Sequence, residues 1–310
     1  KKAQKAQYQK KTTSAKESQN AMLEKLELTE EHQKDLFKYA KEKNLSALSS
    51  PFDIDSAIWL IEEMGLQTIK IGSGEITNGP LLFEIARRGT PIILSTGMST
   101  LGDIENALAV IAFGYRNPKT APNGIEAIKE DYHQPGVTEL LAKKVSLLHC
   151  TTEYPAPFDE VNLRAMKTLR NAFSVEVGFS DHTPGIVAPI AAVALGATII
   201  EKHFTLDNDL PGPDHKASLN PKDFQEMVTA IRKIEVALGD GVKKPSASEV
   251  KNKNIARKSL VCQRNIDRGE SFSADNLTCK RPGEGVSPML YWDYLGKTSA
   301  SHYQSDELIK

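Results

Sequence analysis

The feature that most constrains the fold of this chain is a repeating unit, in which a short apolar stretch is followed by a helical pattern. Strands separated by roughly 25 residues of loop and helix predict βαβ units and a parallel sheet. The strand segments are apolar almost throughout, as expected when both faces of a sheet are covered. The predicted strands lie at 45–52, 68–73, 91–96, 145–151, 174–179 and 198–204, and the predicted helices lie near 55–64, 80–88, 101–113, 163–172 and 184–195.

The arrangement of the βα units favours a barrel over a doubly wound sheet. No G-x-G-x-x-G sequence follows the first predicted strand, which argues against the dinucleotide-binding form. Polar residues cluster instead at the carboxyl ends of the strands, where TIM barrels carry their reactive groups. Because six strands would leave an unpaired edge, we expect roughly two βα units to precede Lys1. The prediction is an α/β fold, a TIM (β/α)8 barrel lacking its first two βα units in this chain.

The chain is expected to contain one large and one small domain. Residues 1–239 carry the βα alternation, and the polar, Lys/Ser-rich residues 240–254 are predicted to form a linker. Residues 255–310 are predicted to form a small β-rich domain. Within the large domain, residues 115–136 are polar and rich in turn-forming residues, which is typical of a surface insertion.

The overall composition excludes several classes of function. The 39 lysine and arginine residues nearly balance the 40 aspartate and glutamate residues, so no bulk basic field favours nucleic acid. The chain has no run of 18 apolar residues, so no membrane span is expected. The three cysteines lack C-x-x-C spacing, which favours reduced thiols in a cytoplasmic protein.

Two histidines lie at the ends of neighbouring predicted strands. His182 follows 174–179 and His203 belongs to 198–204. Parallel neighbours lie about 4.8 Å apart, so the two imidazoles can share one divalent metal ion. The alternative is a pair of structural histidines at strand ends. The neighbouring Asp181 and Glu201 favour the metal, because they could orient the two rings.

Hydroxyl groups at three different strand ends, together with a lysine, indicate an anion site. Ser73, Ser95 and Ser180 lie close in sequence to glycines, which let backbone amides approach an anion, and Lys70 would supply the positive charge. The alternative is that each serine only shapes its loop. The set as a whole favours a phosphorylated substrate.

Four other side chains are candidates for binding a polar substrate. Glu75 and Asp214 are suited to bind hydroxyl groups or to transfer protons, or else they are solvated surface carboxylates. Tyr154 is suited to stack on a sugar, or else it packs within its loop. Arg281 is a basic group of the small domain, or else a solvated turn residue.

Several motifs of this chain together resemble sialic acid synthases. The resemblance covers essentially the whole chain apart from 115–136. The motifs are KIGSGE at 70–75, ILSTGM at 93–98, GFSDHT at 178–183, EKHFT at 201–205, GPDH at 212–215 and CKRPG at 279–283. The resemblance implies a (β/α)8 barrel followed by an antifreeze-like (SAF) domain, in a domain-swapped homodimer. It also implies condensation of phosphoenolpyruvate with N-acetylmannosamine to give N-acetylneuraminate and phosphate.

The resemblance further implies a role for each candidate residue. His182 and His203 would hold Mn²⁺ or Mg²⁺. The phosphoenolpyruvate site would contain Lys70, Ser73, Ser95, Thr152 and Ser180. Catalysis would involve Glu75, Tyr154 and Asp214, and these three residues would bind the amino sugar together with Arg281.

Two alternative functions stay open at this point. Synthases of legionaminic or pseudaminic acid share the same motifs and use a related amino sugar. An alternative of another class is a catalytically incomplete protein that only binds a sugar or a phosphate.

Overall fold

A parallel sheet of five strands lies at the centre of the computed structural model, which describes Lys5, Lys10, 18–212 and 214–309. The strands pair in chain order, and they are β1 (Ile69–Ile71), β2 (Ile92–Ser95), β3 (Val145–Cys150), β4 (Glu176–Asp181) and β5 (Ile200–Lys202). A doubly wound sheet reverses its strand order, whereas a barrel adds each strand beside the previous one. The barrel type of fold is therefore confirmed, as a curled half-barrel within the described ranges.

The prediction of a first strand at 45–52 is wrong. This segment contains no assigned strand, although the backbone N–H of Lys70 donates to the carbonyl of Ser49 beside β1 (3.3 Å). Pro51 has no N–H to donate, so a regular ladder cannot continue there. At the opposite edge of the sheet, Phe204 and Leu219 form an isolated parallel bridge just after β5.

Helices of the first unit (Lys1–Gly239) lie between and around these strands. Their caps explain several of the boundaries, since Thr100 and Asp103 form a capping box and Asn220 caps the helix that begins with Pro221. The helices are α1 (Gln19–Leu23), α2 (Glu30–Glu42), α3 (Ile54–Ile58), α4 (Gly79–Ala86), α5 (Leu101–Arg116), α6 (Ile125–Tyr132), α7 (Val137–Lys144), α8 (Ala165–Phe173), α9 (Val187–Ala194) and α10 (Pro221–Leu238).

The polar stretch 115–136 is more ordered than a surface insertion would be. It contains the end of α5 and the whole of α6, and Ile128 of α6 is buried in a cluster with Ala109 and Phe113 of α5. The sequence pattern is weak here because so few apolar side chains are needed to bury one face of a two-turn helix.

The core of the first unit lies between the sheet and the helices. Ile71, Leu94, Leu147 and Val177, from four neighbouring strands, are completely buried, and Leu108 of α5 is buried with them in one cluster. Burial of one such side chain contributes about 1.5–3 kcal/mol to the free energy of unfolding. This packing holds the strands in register, and their carboxyl ends therefore meet at one edge.

The second unit (Asp240–Lys310) has its own small core. Strands β6 (Ser259–Cys262) and β7 (Leu277–Lys280) pair antiparallel, and Leu260, Ile266 and Phe272 are buried together. The predicted linker at 240–254 is not simply a loop, because α11 (Ala247–Ala256) begins within it. A capping box of Ser246 and Glu249 starts that helix. The unit also contains the short helix α12 (Tyr291–Tyr294).

Candidate active site

The two predicted metal ligands lie side by side at the carboxyl edge of the sheet. Strands β4 and β5 pair Ser180 with Glu201 and Asp181 with Lys202, so the next residues along each strand are His182 and His203. Their ring centroids lie 5.4 Å apart and the ring planes meet at 77°. The register of two parallel strands thus brings together the two imidazoles.

The His182 ring is held in one tautomer by its surroundings. Its Nδ1 lies 2.6 Å from the carbonyl oxygen of Thr151, and because a carbonyl only accepts, Nδ1 carries the proton. Tyr154 packs over the ring at 4.0 Å between centroids and meets the His203 ring edge-on at 5.3 Å. Burial lowers the pKa of His182 to about 4, so the ring is neutral at pH 7.

A carboxyl group lies beside the second histidine. Asp214 Oδ2 lies 3.7 Å from His203 Nδ1. Burial raises the pKa of Asp214, while the nearby His203 and His215 act in the opposite direction. This carboxyl group therefore holds its proton to a higher pH than an exposed aspartate would.

The histidine pair fits a divalent ion in its donor chemistry. His182 directs an unprotonated Nε2 away from its bond to Thr151, and neutral imidazole nitrogen is a common ligand of first-row metals. Within 18–212 and 214–309, no group of three or more His, Cys, Asp and Glu side chains is placed to hold a metal. An ion here would therefore take its other ligands from substrate or water.

A buried lysine connects three strand ends in the floor of the site. Lys70 Nζ donates to Ser95 Oγ (2.8 Å) and to the Ile71 carbonyl (3.1 Å). It also pairs with Glu201 Oε2 at 3.5 Å, and Ser180 Oγ donates to Glu201 Oε1 at 2.7 Å. Sequence reasoning placed Glu201 beside the histidines but missed its contact with Lys70, which depends on the curvature of the sheet.

A second group of small side chains surrounds Gly97. Ser73 Oγ accepts a hydrogen bond from the Gly97 amide (3.0 Å) and lies 3.2 Å from Cys150 Sγ. The Thr152 hydroxyl is buried and has no hydrogen-bond partner among the described residues. A buried hydroxyl without a hydrogen-bond partner costs free energy. The side chains around Gly97 are therefore suited to bind a polar ligand.

Gly97→Ala is expected to damage this part of the site. An added Cβ would overlap the Thr152 hydroxyl and would lie 2.9 Å from Ser73 Oγ and 3.1 Å from Cys150 Sγ. Such overpacking lowers the free energy of unfolding by about 1–3 kcal/mol. The measurement is thermal or urea unfolding of the purified variant. The control is Gly74→Ala, because a Cβ at Gly74 meets no atom within 4 Å; equal effects of the two changes would contradict this account.

The predicted site residues line one cleft of about 870 Å³, with two exceptions. Asp214 contacts His203, and Arg281 belongs to the second unit, where its Nε donates to the Ala256 carbonyl (2.9 Å). Glu75 lies in a short 3₁₀ turn after β1, and its Oε2 accepts from Asn78 (2.7 Å). The residues in the cleft are Lys70, Ser73, Glu75, Ser95, Thr152, Tyr154, Ser180, His182 and His203.

Three apolar side chains, here called the apolar wall, line the cleft among residues that also include the polar Gln19, Glu27 and Ser50. Leu23 and Leu26, in and just after α1, line it together with Phe52, and all three side chains are exposed to solvent. Sequence reasoning did not single out these residues, since isolated apolar side chains in a polar segment carry no functional pattern. The cleft thus combines a charged floor with an apolar wall.

Comparison with known proteins shows the family of this chain. A model of the NeuB family matches residues 1–243, and a model of the SAF domain matches residues 257–310. The chain belongs to the NeuB family. The resemblance to sialic acid synthases drawn from the motifs is confirmed. No helix in the described part of this NeuB-family chain is long and apolar enough to cross a membrane.

Individual relatives align over most of the NeuB-family chain. It is 51% identical to the N,N'-diacetyllegionaminic acid synthase of Campylobacter jejuni, over 100% of this chain and 85% of that protein. It is 39% identical to the enzyme of the same name from Legionella pneumophila, over 94% and 76% of the two chains. The solved structure of an N-acetylneuraminic acid synthetase from Leptospira borgpetersenii, in complex with citrate, has a TM-score of 0.62 and 31% identity, over 79% and 76% of the two chains.

Proposed function

We propose that this chain condenses phosphoenolpyruvate with an open-chain amino sugar that carries two acetamido groups, giving N,N'-diacetyllegionaminic acid and phosphate. The observation that carries the proposal is the cleft, in which a buried lysine and several hydroxyls lie beside a histidine pair. The relatives favour the legionaminate alternative among the candidate sugars. Two proteins named for the legionaminate product are 51% and 39% identical, against 31% for the N-acetylneuraminic acid synthetase. The expectation of N-acetylneuraminate as first choice is therefore replaced by the legionaminate alternative.

The phosphate end of phosphoenolpyruvate is assigned to the floor of the cleft. Lys70 is buried, with 8% of its surface exposed, so its charge acts on an anion with little screening by water. The hydroxyls of Ser95 and Ser180 lie along the same lysine and carboxylate network and can turn toward phosphate oxygens. The unpartnered hydroxyl of Thr152 would gain a partner when phosphate binds.

The reaction forms one carbon–carbon bond and breaks one carbon–oxygen bond. C3 of phosphoenolpyruvate bonds to the aldehyde carbon of the sugar, and the aldehyde oxygen takes up a proton. Water then adds at C2 and loses one proton, which leaves a hydroxyl group there. The C2–O bond to phosphate breaks as that hydroxyl becomes the keto oxygen and its proton passes to the departing phosphate, which leaves a 2-keto acid and inorganic phosphate. When bound at the histidine pair, a divalent ion supplies Lewis-acid polarisation of the aldehyde.

The protein's own groups handle the proton and the sugar. Asp214 Oδ2 lies 3.7 Å from His203 Nδ1, so we assign to this carboxyl group the proton that goes to the aldehyde oxygen. Glu75 is held by Asn78 and faces the cleft, where its carboxylate can accept hydrogen bonds from sugar hydroxyls. Tyr154 is packed on His182 and bounds the space left for the sugar.

The apolar wall favours a sugar with fewer hydroxyls and more acyl groups. Leu26 and Phe52 are 55% and 70% exposed, and both line the cleft. Exposed apolar side chains in a cleft gain free energy when they cover methyl groups of a ligand, by about 0.8 kcal/mol for each buried methylene equivalent. The methyl of a second acetamido group is such a ligand group.

The test is a side-by-side measurement of kcat/KM with phosphoenolpyruvate and each candidate sugar, using phosphate release as the signal. We expect the diacetamido sugar of the legionaminate route to exceed N-acetylmannosamine by at least about tenfold, which a few apolar contacts can supply. Faster turnover of N-acetylmannosamine would overturn the choice of sugar. Calorimetric binding of phosphoenolpyruvate without any phosphate release would instead support a binding protein that lacks catalysis.

A further inference from the structure

Asp181 and Lys202 directly precede His182 and His203 in sequence. They form a buried ion pair that does not line the cleft. Lys202 Nζ lies 2.6 Å from Asp181 Oδ2, and the two side chains are 1% and 0% exposed. Asp181 is paired with Lys202 in the register of β4 and β5. Alternation along a strand sends these side chains to the opposite face from Ser180, His182, Glu201 and His203.

Both members of the pair also hold the backbone that follows His182. The amide N–H of Thr183 donates to Asp181 Oδ1 at 2.9 Å, and Lys202 Nζ donates to the Thr183 carbonyl. The Thr183 hydroxyl has no hydrogen-bond partner in the described ranges, although the residue is completely buried. The pair therefore holds the main chain of Thr183 rather than its side chain.

Stability alone does not explain a buried pair of this kind. Removing two charges from water costs several kcal/mol per ion, and apolar replacements of similar volume are often as stable or more so. Its contacts are specific in another respect, because they fix the residue after His182 and the residue before His203. Because His182 and His203 directly follow the last residues of β4 and β5, fixing Asp181, Thr183 and Lys202 also limits where the backbone carries each imidazole.

We propose that Asp181 and Lys202 are positioning residues that hold His182 and His203 in the geometry needed to share one divalent ion. This inference rests on the proposed metal site. The comparable case is the outer-shell partner of a metal ligand, whose loss weakens metal affinity by about 10–100-fold. In this protein the ion pair acts on the backbone beside each histidine, and not on the ring nitrogens.

The experiment measures the Kd of Mn²⁺ by calorimetry on the full chain, without substrate. Asp181→Asn and Lys202→Met are each expected to weaken Mn²⁺ binding by about 10–100-fold. The double variant Asp181→Asn/Lys202→Met removes both charges together and leaves no buried ion unpaired, so it provides a second variant should either single change fail to fold. Circular dichroism and the Tm report folding separately.

The matched control is Ile85→Ala, a completely buried position in α4, whose apolar side chain packs in the core of the first unit. It should lower the Tm while the Kd for Mn²⁺ stays unchanged, because a cavity in the core does not redirect the histidines. Equal Mn²⁺ affinity in wild type and in Asp181→Asn would overturn the positioning role alone. Weaker Mn²⁺ binding by Ile85→Ala would also overturn the positioning role. Absence of Mn²⁺ binding by the wild type would overturn the proposed metal site and this inference together.

Discussion

Lys70→Met is expected to lower kcat/KM for phosphoenolpyruvate by about 10²–10³-fold, the usual effect of removing one preorganised group that stabilises developing charge. Lys70 is 8% exposed, and its Nζ is fixed by Ser95 Oγ and the Ile71 carbonyl. Methionine fills a similar volume without the charge, so phosphate would have to bind beside Glu201 with no cation between them. Steady-state kinetics by phosphate release measures the effect.

The control for this prediction is Lys144→Met at the other end of the strands. Lys144 Nζ donates to the Gly89 carbonyl (2.6 Å) and lies over the Tyr115 ring (5.0 Å), so it too is partly buried and hydrogen-bonded. Its replacement should reduce stability slightly and leave kcat/KM unchanged. If Lys70→Met retained wild-type kcat/KM, the phosphate would have to bind elsewhere in the cleft.

His203→Ala is expected to weaken Mn²⁺ binding by more than about 100-fold, since even outer-shell changes cost about 10–100-fold. The ring lies 5.4 Å from that of His182, and with it half of the imidazole donor set is lost. Turnover that depends on added metal should fall to background. Calorimetric titration with Mn²⁺ and a phosphate-release assay after chelation measure the two effects.

His133→Ala serves as the control for the histidine prediction. This exposed histidine follows α6, and its ring meets the Tyr132 ring edge-on with 5.8 Å between centroids. Its removal should change neither Mn²⁺ affinity nor turnover. Unchanged activity of His203→Ala, with Mn²⁺ still bound, would rule out His203 as a ligand.

Much of the fold follows from local sequence patterns. The strands β2 and β3 and the start of helix α5 agree closely with the predicted ranges, because apolar periodicity and caps are properties of neighbouring residues. The errors occur where local pattern and tertiary packing disagree. The apolar residues of 45–52 do not form a regular strand, because Pro51 within this segment has no N–H to donate. The polar segment around Ile128 folds into a helix because it packs on α5.

The candidate site is predictable to the extent that it lies at strand ends. His182 and His203, with Ser180, Ser95 and Ser73, each follow or end a strand, so topology alone brings them to one edge. Their roles as ligands and substrate contacts stay predictions, as do the dimer, the cytoplasmic location and the identity of the metal. The experiments on Lys70, His203 and Gly97 address the site residues directly.

The sequence by itself determined that this chain forms a βα-repeat fold with a histidine at each of two neighbouring strand ends, because these are features of spacing along the chain. Only the tertiary structure decided which side chains meet across the strands. Lys70 pairs with Glu201, Thr152 approaches Gly97, and Lys202 is buried against Asp181. These contacts depend on lateral register and on the curvature of the sheet, which are set by packing between segments far apart in sequence.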